Sequence, residues 1–244
     1  MRTARIQTVA WLVWGCAACA TTAPVVDELP TLACHNLPEC QASCQNGSHN
    51  ACRALGVLLA NAAQTVSGKS APAVEEAWRS GCAIGDLDAC SQLGDHLLDS
   101  PIAGARRGAV SPFSKACTGG HARACLQLGA MYARGEASGA KDEGKALSLY
   151  EQACTLGHPV ACNRLGMMYE LGRVVARDPQ RAQAYYDAGC ARASAEACTN
   201  AATLLIAAHP SNAGDTLRAA RALLRKGCSA GDQRACELLA DDSI

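Results

Sequence analysis

The sequence predicts an all-α protein, built as an α/α superhelix of about six helix-turn-helix repeats. Three observations predict it. Pairs of cysteines recur at a nearly constant interval, apolar residues recur at helical spacing before each pair, and a glycine lies between the two cysteines of most pairs. Alanine is abundant while aromatic residues make up 4% of the chain, a composition that favours closely packed helices.

The cysteine pairs set the length of the repeat. The two cysteines of each pair are eight positions apart, and successive pairs begin 38, 35, 37, 36 and 38 residues apart. The six pairs are Cys44 and Cys52, Cys82 and Cys90, Cys117 and Cys125, Cys154 and Cys162, Cys190 and Cys198, and Cys228 and Cys236. A period near 36 residues is typical of a unit of two helices.

The residues around each pair predict a helix that ends at the first cysteine and a second helix that begins near the second cysteine. A large apolar residue lies four positions before the first cysteine, on the same helical face. We expect these residues to pack in the core rather than to form a ligand cage: Trp78, Phe113, Tyr150, Tyr186 and Leu224. The glycine three positions after the first cysteine, replaced by Ala193 in one repeat, suits the left-handed conformation that ends a helix.

Polar residues mark where the helices begin. Asp142 and Asp178 precede the first helices of two repeats, and four of the six residues that precede the second helices are good N-caps. We therefore interpret the aspartates as caps and not as a pair of catalytic carboxylates: Asp86, Asp142, Asp178 and Asp232. His121 and His158 hold the same repeat position, where a role in the turn is favoured over a shared metal site.

Disulfides are the predicted state of the cysteines. A tight hairpin brings the end of one helix close to the start of the next, within reach of a disulfide. Zinc sites usually separate paired cysteines by two to four residues, so the spacing does not favour metal, and we expect no metal and no cofactor. Cys34 and Cys40 precede the first pair. We expect them to bond to each other, with Cys34–Cys44 and Cys40–Cys52 as the alternative.

The N-terminus has the charged, apolar and small-residue order of an export signal. We expect a signal peptide over residues 1–19, of the lipoprotein type with lipid on Cys19, a flexible tether over 20–33, and the repeat domain over 34–244. Cys16 is a second candidate for lipidation, and cleavage after Ala20 is a third possibility. The expected location is the outer membrane or periplasm, or, for a soluble form, the periplasm or the medium.

Charge and hydropathy limit the partners. The formal net charge is zero with no basic face, which excludes nucleic acid as an expected partner. No apolar run reaches the roughly 18 residues of a membrane-spanning helix, so the membrane is reached only through the lipid anchor.

The repeat resembles a known family. Phe113 to Cys117, Ala124 to Tyr132, Lys141 to Tyr150 and Ala161 to Tyr169 give the match, and the loop Gly172 to Asp178 is similar to the Gly-x-Gly-Val-x-x-Asp loop of Sel1 repeats. The chain resembles the Sel1-like repeat proteins, which are related to tetratricopeptide repeats, and in particular the secreted cysteine-rich Hcp type. Ala193, the pair Ala201-Ala202 and a truncated first unit depart from the pattern.

The resemblance implies one enzymatic alternative, because some cysteine-rich members are described as penicillin-binding or weakly β-lactamase-active. Such serine enzymes need an activated nucleophile, commonly in S-x-x-K with S-D-N and K-T-G. Ser138 begins an S-x-x-K match that ends at Lys141, in a predicted loop, and neither of the other motifs occurs. We therefore expect no catalytic residue.

The leading interpretation is a scaffold that binds a protein or peptide in the bacterial envelope. Solenoids present an extended concave surface, and exposed residues of the first helices are the expected contacts. They are Glu75, Arg79, Ser148, Glu151, Gln152 and Asp187. A passive structural lipoprotein is a further alternative.

Overall fold

The computed structural model describes residues 37–65, 72–102, 104–208 and 213–240, and within them the chain forms helices and no strands. The helices are α1 (Leu37–Gln45), α2 (His49–Thr65), α3 (Pro72–Ala83), α4 (Leu87–Asp99), α5 (Ala105–Gly108), α6 (Val110–Thr118), α7 (Ala122–Arg134), α8 (Glu143–Thr155), α9 (Pro159–Leu171), α10 (Pro179–Ala191), α11 (Ala195–Ala208), α12 (Ala213–Ser229) and α13 (Gln233–Ala240). None of these described helices is both long and apolar enough to cross a bilayer.

The helices form six hairpins, which confirms the predicted repeat architecture. The hairpins are α1–α2, α3–α4, α6–α7 with the short α5 before it, α8–α9, α10–α11 and α12–α13. Each second helix packs against the first helix of the next hairpin, and the buried apolar residues follow these junctions along the chain. The protein is therefore a solenoid in which each repeat packs mainly on its neighbours.

Several predictions concern residues outside the described ranges. The signal peptide at 1–19, lipidation of Cys19, the tether at 20–33 and the start of the repeat domain at residue 34 all lie there.

The turn inside each hairpin has the predicted left-handed residue. The glycine that follows the first cysteine by three positions has a positive φ, which is 94° at Gly157. Ala193 takes the same conformation, with φ 66°, although an alanine pays a steric cost there. The departure of this repeat from the family pattern therefore changes the residue and not the turn.

Five of the six second helices are capped by the side chain of the residue that follows the turn. The Asp86 carboxylate accepts a hydrogen bond from the Ala89 amide at 3.0 Å, and Nδ1 of His121 accepts one from the Ala124 amide at 3.3 Å. His158 makes no such bond: Pro159 opens its helix, and the buried Nδ1 of His158 has no hydrogen-bond partner within the described residues. The two histidines thus share a repeat position but not a role.

Six disulfides close the hairpins, one in each, as predicted. Their Cα–Cα distances run from 4.5 to 4.8 Å. Since Cys44 bonds to Cys52, the alternative that joined Cys34 to Cys44 and Cys40 to Cys52 is wrong. Cys40 is buried and disulfide-bonded, while Cys34 lies outside the described residues, so their pairing stays a prediction.

Small residues let the two helices of a hairpin approach closely. The alanine before the second cysteine is fully buried in all six hairpins. In three of them it faces a glycine of the first helix, and a methyl group added at Gly189 would lie 2.8 Å from Cβ of Ala197. This close crossing explains why alanine recurs at that position and why the cysteines beside it meet.

Consecutive repeats are joined by a ring packed on a glycine. Tyr186 of α10 lies against Gly166 of α9, where an added methyl group would come within 2.5 Å of the ring. The same contact joins Trp78 to Gly56, Phe113 to Gly94 and Tyr150 to Gly129. These rings are buried. They form the core of the solenoid, as predicted, and not a ligand cage.

Candidate functional site

The six predicted contact residues all belong to first helices, namely α3, α8 and α10, and none is buried. Arg79, Ser148, Gln152 and Asp187 are exposed, while Glu75 and Glu151 are half-buried. They lie on three different repeats, so the structure does not gather them into one compact site. They are points on an extended surface.

Gln152 has a structural contact that the sequence did not suggest. Its side-chain amide donates to the Cys117 carbonyl oxygen at 3.2 Å, at the end of the preceding first helix. Lys115 holds the equivalent position one repeat earlier and donates to the carbonyl oxygen of Cys82. Both residues add a second donor to a carbonyl oxygen that already accepts the amide of the turn glycine, Gly85 in one repeat and Gly120 in the next. Gln152 is therefore less available to a partner than its neighbours are.

One position of the repeat gives the surface a regular row of side chains. The residue three positions before the first cysteine is exposed or half-exposed in every hairpin from the second to the sixth. We call this the first-helix row: Arg79, Ser114, Glu151, Asp187 and Arg225. Glu151 and Asp187 are adjacent acidic residues within the row, and its two ends, Arg79 and Arg225, are basic. Ser114 and Arg225 were missed by the sequence analysis, although an alignment of the repeats contains them.

An aromatic pair lies beside the acidic part of the row. The rings of Tyr169 and Tyr185 stack at a centroid distance of 5.4 Å, and the Arg181 guanidinium lies 5.6 Å from the Tyr169 centroid. Burial raises the pKa of the half-buried Tyr185, and the nearby Tyr169 and Glu151 raise it further. The half-buried Tyr185 and the exposed Arg181 therefore lie near the acidic Glu151 on the surface of repeats four and five.

A wide depression of about 840 Å³ borders the row at the third repeat. Its lining includes the hydroxyl groups of Ser111, Ser114 and Thr118 and the cationic side chains of Arg107 and Lys115. Hydroxyl groups both donate and accept hydrogen bonds, so this part of the surface can pair with polar groups of a partner.

A smaller cavity of about 140 Å³ lies elsewhere, between α7, α8 and α9. Its lining is Ala133, Glu143, Ala146, Tyr150, Arg164, Met167, Met168, Leu171 and Arg173. Burial raises the pKa of the Tyr150 hydroxyl, while the Arg164 and Arg134 guanidinium groups oppose that shift. The sequence alone did not predict this cavity.

The residues weighed for catalysis and metal binding do not form a site. Ser138 donates its hydroxyl hydrogen to the Ala140 carbonyl oxygen at 2.9 Å, and no hydrogen bond joins it to Lys141 in the described part of the chain. His121 lies 3.2 Å from Asp88 through Nε2. No group of three or more metal-binding side chains occurs among the described residues. Nothing in them supports the β-lactam alternative.

These features define a class of protein: an α/α solenoid of six disulfide-closed hairpins with an extended, exposed row of polar side chains. The sequence model of the Sel1 repeat matches residues 122–158 and 159–194. Residues 122–194 therefore contain two Sel1 repeats, and the hairpins on either side of the matched region repeat the same geometry.

Solved structures agree with this fold. A Sel1 repeat protein from Oxalobacter formigenes is 23% identical, with a TM-score of 0.66 over 79% of this chain and 75% of that one. A protective antigen of uropathogenic Escherichia coli with an SLR fold is 20% identical, with a TM-score of 0.65 over 83% of this chain; the match spans 43% of that chain. At these identities the likeness concerns the fold alone. A search of curated protein sequences finds no match.

Proposed function

We propose that the protein is an exported scaffold that binds a protein or peptide partner through the first-helix row. The single observation that carries this proposal is the row itself. It is a line of exposed or half-exposed polar side chains, one in each of five consecutive repeats, on a fold whose buried core is formed by other residues. Sel1 repeats generally mediate contacts between proteins, and the sign pattern of the row favours a partner with a basic centre opposite Glu151 and Asp187.

The disulfides support an extracytoplasmic location. Disulfides persist in oxidising compartments and are rare in a reducing cytosol, so six of them indicate an oxidising environment. We extend this to an envelope lipoprotein of the Hcp type, anchored through Cys19, with a soluble exported form as the alternative. Intact mass of the native protein tests the extension. A lipid-modified Cys19 supports it, and an unprocessed N-terminus contradicts it.

Crosslinking in living cells tests the binding surface. A photoreactive residue is placed at Asp187, and a matched control is placed at Gln92, which is exposed on the second helix α4. We expect a discrete crosslinked partner from Asp187 and none from Gln92. Changing Glu151 and Arg225 to alanine should then weaken capture from Asp187. Equal crosslinking from both positions, or capture that the alanine variants leave unchanged, would contradict the proposed surface.

A further inference from the structure

The fourth and fifth repeats differ in the hydrogen bonding of an equivalent tyrosine hydroxyl group. In the fifth repeat, the Tyr186 hydroxyl donates to the Glu170 carboxylate at 2.6 Å. At the junction one repeat earlier, Tyr150 of α8 takes the place of Tyr186, and Ala133 of α7 takes the place of Glu170. The Tyr150 hydroxyl has no hydrogen-bond partner within the described residues, and it lines the cavity of about 140 Å³ together with Ala133. The space that a carboxylate fills in one repeat is open in the next.

The charges around this cavity favour an anion. Arg164 and Arg173 are exposed on its lining, and neither side chain forms an ion pair or hydrogen bond with any described residue. Arg164 replaces Asn200, the residue at this position in the next repeat, which is bonded to Asn163 at 2.9 Å. Glu143 is the acid among the lining residues, so the two arginines leave a net positive charge. A guanidinium group binds a carboxylate through paired, charge-assisted hydrogen bonds.

The cavity also lies where two second helices are least tied together. Arg53 bonds Asp88 between α2 and α4, Gln127 bonds Asp95 between α4 and α7, and Asn163 bonds Glu196 between α9 and α11. Thr199 of α11 bonds Asp232, the residue that caps α13. Between α7 and α9, no side-chain hydrogen bond or ion pair occurs among the described residues. The open junction exposes the apolar wall of Met167, Met168 and Leu171.

We propose that this cavity binds a glutamate side chain of a partner protein, whose carboxylate takes the place that Glu170 holds beside Tyr186. The proposal rests on the proposed function, since it adds a second recognition point to a protein-binding scaffold. The cavity is small, about 140 Å³, which suits one short side chain such as that of glutamate. Its methylene groups meet the methionines and Leu171, and its carboxylate meets Tyr150, Arg164 and Arg173.

Methionine methyl groups provide a direct assay on the oxidised full chain. The sequence contains four methionines, of which Met167 and Met168 line the cavity and Met131 is fully buried. With ¹³C-methyl methionine, titration with N-acetyl-glutamate amide should shift the Met167 and Met168 signals saturably and leave Met131 in place. N-acetyl-glutamine amide is the neutral control and should cause no saturable shift. N-acetyl-alanine, which has a free terminal carboxylate, tests whether the cavity binds the C-terminus of a chain instead of a glutamate side chain.

Three variants locate the binding. Ala133→Glu should supply the carboxylate from within the chain and abolish the shifts, whereas Ala133→Ser, which adds one oxygen atom and leaves most of the cavity open, should retain them at least in part. Arg164→Gln with Arg173→Gln changes two exposed side chains and should weaken binding at least roughly tenfold, since one charge-assisted hydrogen bond contributes about that much. An unchanged Met131 signal shows that each variant is folded.

With the unmodified chain, three outcomes would overturn the proposal: no saturable shift with the glutamate probe, equal shifts with the glutamine probe, or binding of N-acetyl-alanine in its place. Full binding by the double arginine variant would also overturn it. None of these results depends on the crosslinked partner, and the crosslinking from Asp187 does not depend on this cavity. Failure of one proposal is therefore distinguishable from failure of the other.

Discussion

Leu224 packs with Ala202 at the last junction between repeats. At each of the four preceding junctions, an aromatic ring packs on a glycine instead. The methyl group of Ala202 fills part of the space that a ring would need, and the smaller leucine fills the remainder. Cores tolerate such paired changes when the total volume is kept. The departure of Ala202 from the Sel1 pattern is therefore explained by the residue opposite it in the next repeat.

Gly166→Ala tests the requirement for glycine at a junction that retains its ring. The added methyl group would lie 2.5 Å from Tyr186, so the ring must move. We expect the free energy of unfolding to fall by about 2 kcal/mol, since overpacking outweighs the gain in helix propensity. Denaturant unfolding measures it. Gly144→Ala is the control, because its methyl group would meet nothing nearer than the Asp142 carboxylate oxygen at 3.7 Å. An equal loss in both variants would contradict the ring contact.

Ala193→Gly should stabilise the protein. Ala193 has a φ of 66°, a conformation that costs an alanine free energy but not a glycine. We expect the unfolding free energy to rise by about 0.5–1 kcal/mol, the steric relief being partly offset by the entropy of a glycine in the unfolded chain. Thermal unfolding provides the measurement. Gly157→Ala, the reverse change at the same position one repeat earlier, should lower stability. A stabilising Gly157→Ala would show that the turn conformation is not what decides the effect.

Removing one disulfide should affect mainly its own hairpin. Replacing Cys190 and Cys198 together with alanine should cost about 2.5 kcal/mol, the loop-closure estimate for so short a loop. Hydrogen exchange should show the loss of protection concentrated in α10 and α11, with α6 and α7 close to wild type. Uniform loss across the solenoid would mean that the repeats unfold as one cooperative unit.

His158 should make the protein less stable as the pH falls. Burial lowers the pKa of His158 below its ordinary value of 6.5, and Arg123 and His121 lower it further. As the pH falls, the unfolded chain therefore binds the proton before the folded chain does. The contribution of neutral His158 to stability is present above the unfolded pKa and is lost as the pH falls below 6.5. His158→Asn, which also supplies a good N-cap, should reduce the slope of the unfolding free energy against pH between neutral pH and pH values just below 6.5. An unchanged slope in the variant would assign the pH dependence to other groups.

The repeat could be predicted from sequence because its determinants are local. The cysteines, the turn glycine and the cap of one hairpin all lie within a dozen residues, so their spacing reports their contacts. The cavity could not be predicted, because it depends on which residues of α7 and α9 face each other across a third helix. His158 shows a further limit. Its position matches that of His121, but Pro159 follows it and the capping bond is absent.

Within the described residues, each of the six Cys-x₇-Cys disulfides begins and ends in the same hairpin, and none of the six joins one hairpin to another. A segment of one period can therefore be duplicated or deleted in the gene without leaving an unpaired thiol. Each new unit brings its own covalent closure and needs only to match the ring-and-glycine contacts of its neighbours. The length of such an array can change over evolution without a search for new cysteine partners.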